Sequence, residues 1–364
     1  MATKSILFKV ALQGHGIVNY DSNDQKWAWN AMVRNSERVN HENVQFGKHR
    51  YYLRDKDEKG EIYDRHLVIS ADCLRHNIFI DDFLFQSPNV FAHPVLLNKM
   101  IASVGALLRG YMFAQEGKSA LRKKSCLNIT EAEQTNDAIS TIETFSRSGH
   151  REVREDENDT ADNSFFKRES IGEITYAAKG SVDLKELQFV SLSELYDRMA
   201  VNSDDFTTLY KPELEKALGP IHDPGYYVIK NSAVQTPEYG FILSGSQIVF
   251  LVKELFKRLL RLSINKSSGG YAEVAEVQIK YVEDPLKHRM NIDADWIPLS
   301  DEEQIQFDPD IFYERMDDET ARSYTKLIEK NLADSKKRSK ERKIEQKAER
   351  NARKNAARAV LEQK

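Results

Sequence analysis

Between Ile174 and Leu184 the even positions read Ile174, Tyr176, Ala178, Gly180, Val182 and Leu184, while Thr175, Lys179, Ser181 and Asp183 fall between them. A period of two is a strand whose one face is covered and whose other face is open to solvent or a ligand. At Lys185-Glu186 the phase shifts, because Leu187 and Phe189 are apolar on odd positions, so a bulge or turn belongs there. This strand closes a longer stretch, Leu121 to Ser191, that orders the chain. The stretch opens with Arg122-Lys123-Lys124-Ser125 and passes through Thr144-Phe145-Ser146-Arg147-Ser148-Gly149. A charged, core-free segment from His150 to Asn163 follows, and the chain returns with Ser164-Phe165-Phe166-Lys167-Arg168. Read as a two-stranded ribbon with cations and phenylalanines near its tip, it suits backbone phosphates and stackable bases. An ordinary exposed hairpin has the same composition.

Charge is unevenly spread. The 364 residues carry a net −4, yet Ser335 to Lys364 holds 12 Lys and Arg against 4 Glu, a net +8. The other 334 residues keep 41 of the 53 basic and 53 of the 57 acidic side chains, a net −12. Nucleic-acid binding by bulk charge is therefore excluded for the body, and local clusters must do it, with fields felt over about 10 Å at ordinary salt. Hydrophobic content of 40% supports a substantial globular core. No apolar run is long enough to cross a bilayer, so no membrane is expected. Cys73 and Cys126 are too few for a disulfide framework or a thiolate metal site. With a start, Met-Ala-Thr-Lys-Ser-Ile, unlike a secretory signal, the expected home is a reducing cytoplasm.

Along the chain, Ser5 to Leu12 reads as a strand broken by Gln13-Gly14-His15-Gly16, where the glycines serve a turn or a close approach to phosphate. Asp21 to Asp24 offers helix caps before Trp27, Trp29 and Met32. Phe46 to Arg54 and Ile62 to Ile69 flank the turn-like Asp55 to Glu61. Leu67 to Ile69 then leads into a short helix, with Arg75 and His76 near a strand-helix junction of the kind that receives anions. Pro94 starts a helix running from Val95 to Gln115, with Met100 and Met112 as packing residues. Helical patterning over Leu192 to Ala217 is interrupted at Asn202 to Asp205, and Tyr226 to Ile229 is a strand. Ser246 caps a helix reaching about Ser263, with Phe250, Leu251, Leu255, Leu259 and Leu262 buried and Lys253, Lys257, Arg258 and Arg261 on the outside. Ser267-Ser268-Gly269-Gly270, either a phosphate cradle or a linker, precedes a strand from Tyr271 to Val282. Asp308 to Asp318 is acidic and turn-rich, and good helix formers take over from Glu319. The apolar stripe of that last helix is thin, so its far part is expected to be exposed.

No phosphate loop, His-Glu-x-x-His, Cys-x-x-Cys or Gly-x-Ser-x-Gly occurs, and the histidines lack metal-ligand spacing. Only His15 and His76 have a position suited to a general base. No catalytic group, metal or cofactor is expected.

Ile69-Ser70-Ala71-Asp72-Cys73-Leu74-Arg75-His76, the run Arg122 to Gln134, Phe145-Ser146-Arg147-Ser148-Gly149 and Phe165 to Gly172 together resemble the Cas seven backbone subunits of type I CRISPR surveillance complexes (Cascade), nearest to the variant of subtype I-F. The likeness spans most of residues 1 to 300. It implies an α+β fold: an RNA-recognition-like, ferredoxin-like RAMP core (the palm) with inserted finger and thumb β-hairpins, followed by a long helix. It divides the chain into a palm with fingers and thumb over 1–300, a linker and helix start over 301–334, and a basic helical tail over 335–364. Many copies would sit side by side along one CRISPR RNA (crRNA), alongside other Cascade subunits, holding the guide open for target DNA.

The resemblance implies RNA contacts from the 122–191 ribbon, including Arg122, Lys123, Lys124, Ser125, Phe145, Arg147, Phe165, Phe166, Lys167 and Arg168. Arg75 and His76 would lie on the palm, and Lys253, Lys257 and Arg258 beside the RNA. Gly14, His15 and Gly16, with Ser268, Gly269 and Gly270, add the two glycine-rich turns. The basic tail departs from the family pattern, and displaced DNA, a partner subunit and guide RNA all stand as its partner. Two other functions compete: an endoribonuclease on the same fold, with His15 or His76 as base or an acid on the ribbon acting with a metal, and a protein-interaction subunit working through the tail.

Overall fold

The computed structural model describes residues 2–15, 51–53, 65–82, 93–114, 119–136, 140–146, 165–196, 198–233, 235–265, 270–283, 296–335, 337–338 and 342. At 51–53, 65–67, 140–146 and 165–171 only the backbone is described. Gly16, Arg147, Ser268, Gly269, the caps and tryptophans at 21–32, the segment 150–163 and most of the basic tail lie outside these residues.

In chain order the elements are β1 (Ser5–His15), β2 (Tyr51–Leu53), β3 (Arg65–Ile69), α1 (Ala71–Ile78), α2 (Pro94–Ile101), α3 (Val104–Arg109), β4 (Tyr111–Phe113), β5 (Leu121–Lys123), β6 (Leu127–Ile129) and β7 (Ala132–Gln134). Then come β8 (Ser140–Ser146), β9 (Phe165–Ile171), β10 (Glu173–Asp183), α4 (Leu184–Gln188), β11 (Phe189–Ser191), α5 (Lys211–Leu218), β12 (Gly225–Ile229) and β13 (Glu238–Ile242). The rest are α6 (Gly245–Leu260), β14 (Ser263–Asn265), β15 (Tyr271–Val282), β16 (Ile297–Pro298) and β17 (Tyr313–Met316), followed by a helix over 318–335.

The fold is mixed α/β. Its main sheet runs β14-β15-β1-β10-β7-β3-β2, with β16 on β15 and β6 on β10, and a smaller sheet runs β11-β13-β12-β17. β1 is central and antiparallel to both long neighbours, from Ser5↔Asp183 to His15↔Glu173 on one side and from Ser5↔Val282 to His15↔Tyr271 on the other. Alternation then sorts its side chains: Ile6, Phe8, Val10 and Leu12 are buried, as are Ile174, Tyr176, Ala178 and Val182 on β10. The buried face is covered by helices, and Phe256 of α6 meets Phe8 edge-on at 5.7 Å. Behind the smaller sheet, Phe189 stacks on Tyr313 at 4.8 Å.

The structure corrects several boundaries. β1 does not stop at Leu12 but continues through Gln13, Gly14 and His15. A Cβ on Gly14 would lie 2.0 Å from the Tyr271 carbonyl oxygen, so this glycine admits the neighbouring strand rather than a turn or a phosphate. The expected 95–115 helix is two helices and a strand: Ser103 caps α3 by accepting from the Ala106 N–H, and Gly110, at φ 74°, turns the chain into β4. Met112 is consequently 69% exposed, not core. Helix α6 is capped by Ser244, not Ser246, because Gln247 stands at the third helical position. The Ser244 hydroxyl accepts from the Gln247 N–H and the Gln247 side chain accepts from the Ser244 N–H. Phe250 is 40% exposed and leaves the buried stripe to Ile248, Leu251, Val252, Leu255, Phe256 and Leu259.

Asn202 to Asp205 starts a helix instead of interrupting one, since Ser203–Asp205 leads through a π-helical turn, Phe206–Tyr210, into α5. Within the acidic 308–318 run, Tyr313–Met316 forms an edge strand on β12. The largest correction concerns 121–191, which is not one ribbon. β6 and β7 pair with β10 inside the main sheet and β5 pairs with β4, so only β8 and β9 form a separate two-stranded arm. The phase shift at Lys185-Glu186 is the short helix α4.

Two outcomes follow from this packing. Gly14→Ala lowers stability by about 1–3 kcal/mol, the cost of overpacking a close backbone approach, read as the urea midpoint; a turn glycine tolerating alanine at no cost would contradict it. Burial raises the phenols of Tyr176, Tyr210 and Tyr313 above their ordinary 10.0, and pushes the Cys126 thiol from 9.0 up to about 12. Above pH 9 to 10 the unfolded chain sheds these protons while the folded chain keeps them, so their stabilisation is intact below that range and is lost as pH rises. Lys123, lowered by burial, works the other way but is one group against several. The urea midpoint is expected to fall between pH 8.5 and 11, and a rise would contradict this.

Candidate nucleic-acid interface

The main sheet has one helix-covered face and, among the described residues, one face left open to solvent along much of its length. On the open face the three long strands set side chains in rows. Leu7 stands between Lys280 and Ser181, and Lys9 between Gln278 and Lys179. Ala11 follows between Glu276 and Ala177, then Gln13 between Glu273 and Thr175, and His15 between Tyr271 and Glu173. The rows therefore pass from a cationic band through a shelf of small residues to an aromatic end. Lys9 and Lys179 are directly across from each other, so two cationic residues share one place on this face. The Lys9 ammonium also lies 4.3 Å from the centroid of the Trp296 ring. At the far end the His15 and Tyr271 rings stack at 6.5 Å with planes 23° apart.

Sequence reasoning found His15 here but missed Lys9, Lys179, Tyr271 and Trp296. The period of two over 174–184 already assigned Lys179 to the open face. Its pairing with Lys9 needed the strand order. Gly14 is in this region but is filled by the β15 backbone, and Gly270, just before β15, is buried.

The β8–β9 arm leaves the sheet between β7 and β10. In its register Phe145 is across from Phe166, Thr144 from Lys167, Glu143 from Arg168 and Ser146 from Phe165. Phe145, Phe165, Phe166 and Lys167 are thus toward the end of the arm away from the sheet, and Arg168 is at its middle.

The cluster 122–125 splits. Lys123 is only 7% exposed and its ammonium donates to the Glu186 carbonyl. Burial lowers its pKa, with Cys126, Glu186 and Asp183 opposing. Ser125 is also internal: its hydroxyl reaches the Leu108 carbonyl at 3.2 Å and accepts from the Leu127 N–H at 3.1 Å. Lys124 is exposed and pairs with the Glu186 carboxylate at 3.1 Å. Arg122, across from Met112, is half-buried.

Arg75 and His76 occupy the last turn of α1, not the N-terminal junction where free N–H groups attract anions. Arg75 donates to the Leu127 carbonyl at 3.3 Å. The α6 cations are engaged by carboxylates: Lys253 with Glu303 at 2.6 Å, Lys257 with Glu254 at 3.3 Å, and Arg258 with Asp82 at 3.1 Å and Glu254 at 3.0 Å. Burial raises the Asp82 carboxyl against the pull of Arg258. These residues sit in the helix layer that covers the other face of the sheet. The structure does not bring them together with the open face or the arm.

Among the described residues no three His, Cys, Asp or Glu side chains gather to hold a metal ion, and no helix is long and apolar enough to cross a membrane.

A family model described as "Type I-Fv CRISPR-associated protein Cas7fv-like" matches residues 2–314. No curated protein matches. One solved chain, described as "CRISPR RNA-guided surveillance complex", is 9% identical with a TM-score of 0.34, over 76% of this chain and 68% of that one. Another, described as "CRISPR RNA-guided surveillance complex, pre-nicking", is 8% identical with a TM-score of 0.37, over 76% of this chain and 75% of that one.

The split within 122–125 has a measurable consequence. Lys123→Ala leaves the Glu186 carbonyl without its donor and opens a cavity under α4, so it is expected to cost about 1–3 kcal/mol. Lys124→Ala, at an exposed pair, is expected to cost under about 1 kcal/mol. Equal urea midpoints for the two variants would contradict this assignment.

Proposed function

The chain belongs to the Cas7fv-like family of type I-Fv CRISPR-associated proteins, and on that premise we propose that it is a non-catalytic backbone subunit that binds crRNA along the open face of its main sheet. Copies of it line up along one crRNA beside other Cascade subunits, and the held guide stays available to pair with target DNA. Recognition of this kind needs phosphate contacts and exposed bases, not sequence readout by the protein.

The observation that carries this reading is the placing of Lys9 and Lys179 opposite each other on the face turned away from the helices. Two cationic residues at one place suit a phosphate, the Ala11–Ala177 shelf leaves room for the strand, and the His15–Tyr271 stack offers a surface to a base. The strand order β15-β1-β10-β7 supports an RNA-recognition-like palm, since it matches the ferredoxin-like order 4-1-3-2. Helices α1 to α3 form the first crossover and α6 the second. The β8–β9 arm, inserted between β7 and β10, serves as the thumb. The palm then includes 121–134 and 173–191, and the thumb narrows to about 140–171.

In this reading Lys9, Lys179, His15 and Tyr271 hold the RNA on the palm. Phe145, Phe165, Phe166, Lys167 and Arg168 contact it from the arm, with Arg122 and Lys124 at the flank. Lys253, Lys257 and Arg258 stabilise the helix layer instead.

The test compares RNA binding by a Lys9→Gln, Lys179→Gln double variant and a Lys253→Gln, Lys257→Gln control. The first is expected to weaken crRNA binding about tenfold or more at moderate salt and to flatten the log–log salt slope by about 1 to 2. The control is expected to bind as the parent does. Unchanged affinity in the first variant, or an equal loss in both, would defeat the assignment.

A further inference from the structure

β16 is short and held at one edge of the main sheet. Ile297 pairs with Ile279 and Pro298 with Gln278, and the Leu299 N–H donates to the Val277 carbonyl at 2.8 Å. Leu299 is buried and fixes the main chain there, while Ile297 and Pro298 are exposed. Trp296 stands one residue before this pairing, so the register carries it toward Lys280. Its ring centroid nevertheless lies 4.3 Å from the ammonium of Lys9, which belongs to β1, one strand further in. The two side chains therefore meet across the width of β15, on the face that also carries Lys179.

The Trp296 ring is half-buried, but its indole nitrogen is fully covered and the N–H finds no acceptor among the described residues. A covered indole N–H ordinarily has a partner, and one left without is costly. Contact with Lys9 does not require tryptophan: a phenyl ring presents a π-face to a cation without an unpaired donor. The indole is thus poorly matched to the arrangement it adopts, and it stands where two lysines suit a phosphate. One group answers both conditions. An RNA oxygen accepts from an indole N–H and also pairs with an ammonium.

We propose that Trp296 is an RNA-contacting residue with two positions. In the free protein its ring packs on Lys9. In the complex it turns off Lys9, its N–H donates to an RNA oxygen, and Lys9 takes a phosphate. This rests on the sheet face being the RNA surface, and adds to it a residue and a movement. The main chain need not shift, because the β16 pairing and Leu299 hold it while the side chain turns about its own bonds. Since the indole nitrogen is covered, RNA reaches it only if the ring moves, so contact and movement come together.

Trp296→Phe is the test, because it keeps a ring for Lys9 and removes the donor. Affinity for crRNA, the urea midpoint without RNA, and tryptophan emission with and without crRNA are measured on the parent chain and on this variant. Affinity is expected to fall about tenfold while the urea midpoint stays or rises, since a donor that only RNA satisfies burdens the free protein and serves the complex. The weaker hold of a phenyl ring on Lys9 acts in the opposite direction and is the smaller effect. Adding crRNA is expected to shift the parent's emission more than the variant's. Parental affinity in Trp296→Phe, a loss of affinity matched by a loss of stability, or equal emission shifts overturns the proposal. The Lys9→Gln, Lys179→Gln variant, measured alongside, separates the two questions. Weakened binding there with no effect of Trp296→Phe rejects the Trp296 contact alone, whereas parental binding there rejects the sheet face itself.

Discussion

Enclosure of β1 is the constraint on which the rest of the molecule depends. Both of its edges are bonded over their whole length, so its register is fixed from two sides at once. A one-residue slip would send Ile6, Phe8, Val10 and Leu12 to the open face and Lys9 into the core, losing about 1.5–3 kcal/mol per displaced large side chain. The helix layer can seal that face because α6 begins at a reciprocal Ser244–Gln247 cap. Gln247 also donates to the Leu218 and Pro220 carbonyls, tying the helix start to the end of α5. A sheet sealed by helices on one side, with its other side partly exposed among the described residues, is the direct result.

How much of this could be read from the sequence depended on how local each signal was. The alternation over 174–184 and the strands near 226–229 and 271–282 are local, and they stand where expected. Helix boundaries were legible only in part. Ser244 and Ser246 are equally good caps by residue type, and only the Gln three residues after Ser244 distinguishes them. The apolar positions from Val95 to Gln115 fit one long helix until Ser103 and Gly110 are given their geometric roles. The arm was correctly sensed as a ribbon but drawn too long, because the partners of β6, β7 and β10 lie in distant parts of the chain. Gly14 misled for the same reason: what it makes room for is a carbonyl on β15.

Charge was the least legible property of all. A sequence gives the sign of a side chain but not its partner. Lys253, Lys257 and Arg258 look like a track on a helical wheel, yet Glu303 is 50 residues from Lys253 and Asp82 is 176 from Arg258. Family membership could be argued from scattered patches because those patches build the sheet and the arm. Which cations are paired with carboxylates could not be chosen that way.

Pairing chemistry separates the two cationic surfaces. Lys253, Lys257 and Arg258 each stand 2.6–3.3 Å from a carboxylate, which weakens the field they present to a phosphate. The Lys9 ammonium stands against the Trp296 ring, on the strand directly across from Lys179. An acidic body can therefore favour a polyanion on one face without becoming basic as a whole.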